Sequence, residues 1–535
     1  MKLKINSKSY YFIIILIEIV ISLVCCFVNN GIFNKYFVLG SLFWGIFLTL
    51  LYTVFFIPET HSVSLTNAKP LTKRICIISF VIISIIAAIF ALSLFNTSEN
   101  NKYAHLVEGF LQGHLYMDYG PNPGLKDLAN PYDYAERIAH GIDDPWDEAY
   151  YNGHYYCYFG VVPAVLLFLP YRLITGQAFS TVSASMIFVI FAIAGMFAII
   201  YEIAEKWFKT IPLGMYIFLS VTLSFVSILY LLRDPRIYGI AILSGVTMEI
   251  WSLFFYFRGV YIEENFKKEI MFCTLGALFG ILALGCRPPV AFGNLLAIPM
   301  LFYFIKKNKK VKKLPLYFFI VIIPYLVIGA LLGLYNYLRF DSPFEFGQTY
   351  QLTLADQTQY KNFFGRLGVR SQIKGFIYNF FLISGVSKDF PYITFNGAFF
   401  NYIILSFIFL ILLKPVRKEL SENRILFLVL VMLLIPLIIT SLDVIYSPFL
   451  IERYKSDFYF LSSLADAFII FSAYNTIRQN TKKIIFSRIV CVLSIFTLLN
   501  CFLLFIIPFD YNYTYNAPEK LDVIHKIITL GVWRQ

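Results

Sequence analysis

The sequence predicts an all-α fold, a polytopic bundle of membrane-spanning helices interrupted by one large polar loop. Three observations predict it. The chain of 535 residues is 59% hydrophobic and only 14% charged, a balance that suits lipid better than water as the surrounding solvent. Apolar runs of about 20 residues, each long enough to cross roughly 30 Å of hydrocarbon, recur from end to end. Lys and Arg fall in the short connections between these runs, as they do where basic residues stay on the cytoplasmic side. That placement also removes a nucleic-acid reading of the net charge of +12, because the cations follow span boundaries rather than one binding face.

In chain order, spans are expected to begin near Tyr11, Phe37, Ile75, Ser180, Ile211, Ile237, Ile270, Pro289, Leu314, Phe399, Arg424, Phe458 and Ile485. The first has the basic flank Lys2, Lys4 and Lys8. No small-residue cleavage site follows it and a second span comes at once, so it reads as a span rather than a removed leader. Six lysines within Lys306–Lys313 give the strongest cytoplasmic marker, supported by Lys69/Lys73/Arg74, Lys206/Lys209, Arg258/Lys267/Lys268, Lys414/Arg417/Lys418 and Arg478/Lys482/Lys483. A cytoplasmic N-terminus and thirteen crossings satisfy every cluster. The loop after the third span, Asn96–Tyr156, and the tail from Pro508 then lie outside.

Phe159–Thr175 is apolar but carries Pro163 and Pro170, and a full crossing there would invert the clusters downstream. It is expected to be a re-entrant or half-crossing helix packed on protein, where proline-freed carbonyls find partners. Ile373–Val386 raises the same question, so the count is 13 or 14 spans. Residues 1–74 are read as two additional N-terminal helices, 75–474 as the main module, and 475–535 as the last span and its tail. The eight cysteines lie mostly within spans, show no metal-ligand spacing, and read as packing residues.

The 61-residue loop holds ten carboxylates, only three Lys or Arg, and four of the six histidines. Three of its acids are candidates for a general base. Glu99 sits just past the third span, either as a shielded base or as an ordinary polar helix terminator. Asp118 ends the amphipathic stretch Gly109–Met117, as a site residue or a solvated loop charge. Asp147 belongs to the acidic knot Asp143-Asp144-Pro145-Trp146-Asp147-Glu148, whose plainer reading is structural. The knot lacks a calcium-loop pattern and the histidines lack zinc spacing, so no metal is assigned. Four polar segments share the outer face: this loop, the Arg233–Arg236 turn, the Arg339–Lys374 loop and the Ser447–Asp457 turn. Arg233, Arg236, Arg287, Arg339 and Arg453 stand at or near span ends, to snorkel or to bind phosphate with forked, always-charged donors. The aromatic run Tyr150–Gly160, with Tyr156 inside it, suits either an interfacial belt or stacking on a sugar ring.

The order of these parts resembles the GT-C superfamily of integral membrane glycosyltransferases, which includes protein O-mannosyltransferases, aminoarabinose transferases and family-39-like proteins. The residues that carry the resemblance are Asn130-Pro131-Tyr132-Asp133, Asp147–Tyr156, Tyr158-Phe159-Gly160-Val161-Val162-Pro163-Ala164 and Tyr335–Gly347, similar to a poorly characterised bacterial subgroup, together with Arg453-Tyr454 before a late span. The resemblance covers roughly residues 75–474. In that superfamily the catalytic carboxylate follows the span closely, often as an Asp-Glu pair. Here the place reads Ser98-Glu99, without the Asp, which keeps Asp118 and Asp147 beside Glu99 as candidates.

The resemblance implies transfer of a sugar from a polyprenyl-phosphate donor to a hydroxyl of a cell-envelope glycan, lipid or protein, outside a bacterial cytoplasmic membrane. It implies inversion at the anomeric carbon, no cofactor, and phosphate contacts from Arg453, Arg236 and Arg339, with Tyr454 and Tyr156 nearby. The competing readings are a transporter or flippase, a polysaccharide polymerase or ligase, and an assembly protein without turnover.

Overall fold

The computed structural model describes residues 35–94, 101–142, 147–359, 369–382, 384–394, 398–446, 452–507 and 518–530. Helices α1 (Lys35–Phe56) and α2 (Pro70–Ser93) precede the large loop. The loop folds into two short helices, α3 (Lys102–Leu111) and α4 (Tyr134–Ala139), and a hairpin of β1 (Ala149–Tyr151) and β2 (His154–Tyr156). After it come α5 (Leu169–Thr175), α6 (Thr181–Trp207), α7 (Leu213–Arg233), α8 (Ile237–Phe257), α9 (Phe266–Cys286), α10 (Ala297–Lys307) and α11 (Leu314–Phe340). The remainder is α12 (Val369–Phe381), α13 (Lys414–Glu422), α14 (Leu426–Tyr446), α15 (Tyr459–Thr476), α16 (Asn480–Ile506) and α17 (Pro518–Ile528). Among the described residues ten stretches are long and apolar enough to cross a membrane. The chain is therefore an all-α, multi-pass membrane protein whose strands, among the described residues, are confined to one short hairpin.

Three of the thirteen expected starts are not among those ten. The one near Tyr11 lies outside the described residues. The one near Phe399 becomes a 3-10 helix of ten residues, Ile403–Leu412, which at about 2 Å per residue is shorter than the hydrocarbon layer. The one near Phe458 becomes α15, an 18-residue helix buried from Tyr459 through Tyr474. Enclosed by protein rather than lipid, α15 accommodates Ser462, Ser463, Asp466 and Ser472.

The stretch around Pro163 and Pro170 is short, as expected. Ala164–Thr175 is one helical rod of twelve residues, about 18 Å, and it stops at Gly176 in the left-handed conformation. The expected packing on protein is not what the fold shows along its length: Val165, Leu166, Leu173 and Ile174 are exposed, a surface suited to lipid. Thirteen-residue α12 is likewise too short to cross.

At the centre stand α7 and α8. The span formed by α7 is 89% buried, whereas that of α11 is only 6% buried. Enclosure lets the central helices carry polar groups that bond back to backbone. Ser224 and Ser227 donate to carbonyls one turn earlier, Thr247 donates across to Phe188 O on α6, and Ser252 to Gly276 O on α9. Gly276 leaves room for the Tyr256 ring, and a side chain there would collide with it.

The helix ends sort into two poles. One is basic and holds the pairs Lys73–Glu205 at 2.8 Å, Lys307–Glu269 at 2.8 Å, and Arg258–Glu202. The other gathers the large loop and the segments that build the site.

Candidate functional site

The hairpin organises this pole. Asn152 and Gly153 both have positive φ, 48° and 78°, the type I′ geometry that an Asn-Gly pair favours in a two-residue turn. The register is Ala149↔Tyr156, Tyr150↔Tyr155 and Tyr151↔His154. Residues 350–352 of the later loop add along the other edge of β1. Tyr150 N–H donates to Tyr350 O at 2.9 Å, Leu352 N–H to Glu148 O at 2.9 Å, and Asp147 N–H to Leu352 O at 3.2 Å. Buried Arg137 on α4 donates to Thr353 O at 2.7 Å, and Asn130 to Asp356 at 2.8 Å. Two loops far apart in sequence thus form one layer.

At the edge of that layer Asp147 and Glu148 are both buried. Tyr238, on the first turn of α8, donates its hydroxyl to Asp147 Oδ2. The Arg453 guanidinium lies 3.9 Å from the centre of the Tyr238 ring, so a cation and a carboxylate meet on the face and hydroxyl of one tyrosine. Burial pushes the Asp147 carboxyl up from its ordinary 3.8, opposed by the charges of Lys102 and Arg453. Glu148 receives the Tyr119 hydroxyl at 2.5 Å and lies 3.3 Å from Lys102 Nζ. Its pKa is also raised, by burial first, against Lys102 and the Tyr119 hydrogen bond. Among the described residues Glu148 Oε2 is buried with no hydrogen-bond partner.

The arginines at this pole are not equivalent. Arg236 makes two bonds to Asp234, at 2.6 and 2.9 Å, and Arg287 makes two to Asp457, at 2.5 and 2.9 Å. Of these three only Arg453 has no carboxylate within ion-pair distance among the described residues. Tyr454 stands between Arg287 and Arg453, its ring centre 5.7 and 5.8 Å from their guanidiniums. Arg339, by contrast, is a brace. Its Nη1 donates to Cys157 O at 2.8 Å and its Nη2 to Asn336 Oδ1 at 2.7 Å, while the guanidinium lies on the Tyr335 ring. Tyr156 is buried beside Phe340, ring centres 5.2 Å apart.

Asp118 pairs with His105 at 2.8 Å near the surface, and His105 packs edge-on against Tyr119. Glu99, Asp143 and Asp144 lie outside the described residues. Among the described residues no three His, Cys, Asp or Glu side chains converge as metal ligands.

Sequence reasoning passed over Lys102, Tyr119 and Tyr238, and named Glu148 only as a member of the acidic knot. A signal was present for Glu148, which is separated by one residue from a Tyr-Tyr-Asn-Gly-His-Tyr-Tyr hairpin pattern. Tyr238 carried none, since a tyrosine at the start of a span reads as an interfacial ring.

Beside the site, two apolar cavities of about 530 Å³ each share Leu284. They run between α9, the turn Val290–Leu296 and α11. One is rimmed by Asn336, Pro343 and Phe344 next to Arg339, and the other reaches Asn294 and Tyr325.

No protein-family model and no curated protein matches the chain. Among solved structures, the Archaeoglobus fulgidus oligosaccharyltransferase in its apo form aligns with a TM-score of 0.44 at 10% identity. The alignment covers 81% of this chain and 56% of that one, so the chain spans little more than half the length of the matched structure. A superposition this loose carries no argument about activity.

Proposed function

We propose that the protein is a membrane glycosyltransferase of GT-C type, moving a sugar from a polyprenyl-phosphate carrier to an acceptor hydroxyl. The observation that carries the reading is the meeting of Asp147 and Arg453 on Tyr238, a buried acid and a cation with no acid of its own among the described residues, beside an apolar groove open towards lipid-facing α11. The motifs Asp147–Tyr156, Tyr335–Gly347 and Arg453-Tyr454 support it, because the residues resembling the superfamily are those that build this pole. In this reading the pole faces away from the cytoplasm, with the basic pole inside.

The chemistry follows from the parts. The Asp147 carboxylate takes the proton of the acceptor hydroxyl, whose oxygen attacks the anomeric carbon. The bond from that carbon to the phosphate oxygen breaks, the electron pair leaves with the polyprenyl phosphate, and the configuration inverts. Arg453 meets the charge that grows on the leaving phosphate, where a preorganised donor contributes most. The carrier's hydrocarbon lies along the groove at Leu284 and Gly333.

The test is turnover of a panel of polyprenyl-phosphate sugars by purified protein in nanodiscs, comparing wild type with Asp147→Asn. Release of polyprenyl phosphate by the wild type alone is expected. Binding of a lipid-linked sugar without turnover, or its movement across the bilayer, would favour the transporter reading instead.

A further inference from the structure

We propose that Lys102 is the positioning residue of this site, holding the Asp147 backbone in the left-handed conformation that turns its carboxylate onto Tyr238. The inference rests on the reading of Asp147 as the base. Asp147 has φ of 59°, a region that non-glycine residues enter rarely. Something must hold it there. Its N–H is taken by Leu352 O, and its carbonyl accepts from Lys102 Nζ at 3.0 Å. The same ammonium lies 3.3 Å from Glu148 Oε1, so one cation grips the carbonyl of one residue and the carboxylate of the next.

Lys102 is itself buried, and it opens α3. A cation in the first turn opposes the helix dipole, which prefers acids there, so the charge is not placed for the benefit of the helix. Departures of this kind from local preference are expected at functional sites. The helix is anchored independently of the lysine. Asn101 caps it by accepting from Ala104 N–H at 3.2 Å and ties it to Phe179 O at 2.7 Å. Among the described residues the groups facing Asp147 are Lys102 from α3, Tyr238 from α8, Arg453 from the turn before α15, and Tyr158 after β2, with Glu148 next in the chain.

Two experiments on the full chain in nanodiscs test this. The first is a thermal double-mutant cycle with Lys102→Met, Asp147→Gly and the pair. Glycine adopts positive φ freely, so it no longer needs the clamp. Lys102→Met is expected to lower the apparent Tm of the wild type, and to lower that of Asp147→Gly by less than half as much. Equal drops would overturn the proposal. The second is kinetic. Lys102→Met is expected to reduce kcat about 100-fold with donor KM little changed, the size of loss that a misplaced reacting group produces. The acid limb of its pH–rate profile should also move to higher pH, because the ammonium that favours the Asp147 carboxylate is gone. A normal kcat, or a lower kcat with an unmoved limb, would reduce Lys102 to a structural contact. If the wild type turns over no donor, the glycosyltransferase reading fails, and the thermal cycle alone decides the role of Lys102.

Discussion

Asp118 and Asp147 are acids of one loop, with the same side chain and similar standing in the sequence, yet the fold treats them oppositely. Asp118 remains near solvent and pairs with His105 from α3. Asp147 is enclosed by residues from α8, from the turn before α15 and from the later loop. An exposed pair of the first kind contributes roughly 0–1 kcal/mol. A buried carboxyl of the second kind has its proton affinity altered by its surroundings, which is what a base must have to work near neutral pH. The difference lies in who the neighbours are.

Four measurements would break or sharpen that contrast. Asp147→Asn should show the largest effect, a loss of kcat of about 10²–10⁴-fold, the usual range for a positioned acid or base. In the wild type the acid limb should lie above pH 3.8, because burial raises the pKa of Asp147 and the carboxylate form is the one that works. A limb at or below that value would show that another group is the base. Arg453→Ala comes next, with about a 10²-fold loss in turnover. Its limb should shift upward, since a cation that favours the Asp147 carboxylate has been removed. Turnover at the wild-type rate would separate the arginine from the phosphate.

Arg339→Ala should act on the fold rather than on chemistry. It leaves Cys157 O and Asn336 Oδ1 without their donors, at a cost of about 1–3 kcal/mol per buried group, read as a lower unfolding temperature. A large fall in kcat at unchanged stability would make Arg339 a substrate contact after all. Asp118→Asn should be the mildest, within about threefold of wild type and within roughly 0.5 kcal/mol in stability. Should it prove as damaging as Asp147→Asn, the distinction between the two acids collapses.

Arginines repeat the pattern. Arg236, Arg287, Arg339 and Arg453 all stand near span ends, and only Arg236 has a local feature that marks it, Asp234 two residues before it. In the fold Arg236 is paired with Asp234, Arg287 with Asp457, Arg339 braces the hairpin, and Arg453 has no acid of its own among the described residues. The Arg236 partner is two residues away and was legible. The Arg287 partner lies 170 residues away and was not.

The sequence by itself determined the helical membrane class, nearly all the span positions, the shortness of the helix that follows Pro163, and the separation of a basic pole from a loop-bearing one. These depend on local composition, because hydrocarbon must be met by apolar residues and by backbone bonded within its own helix. The Asn152-Gly153 turn belongs with them, since two positive φ angles are a local demand. Only the tertiary structure decided which helices face protein and which face lipid. Well-buried α7 and barely buried α11 are both long apolar runs, and apolarity does not record what covers it. The tertiary structure also decided the site. Asp147 and Tyr238 are 91 residues apart, and burial, orientation and charge partners arise only when the chain closes and brings such residues together.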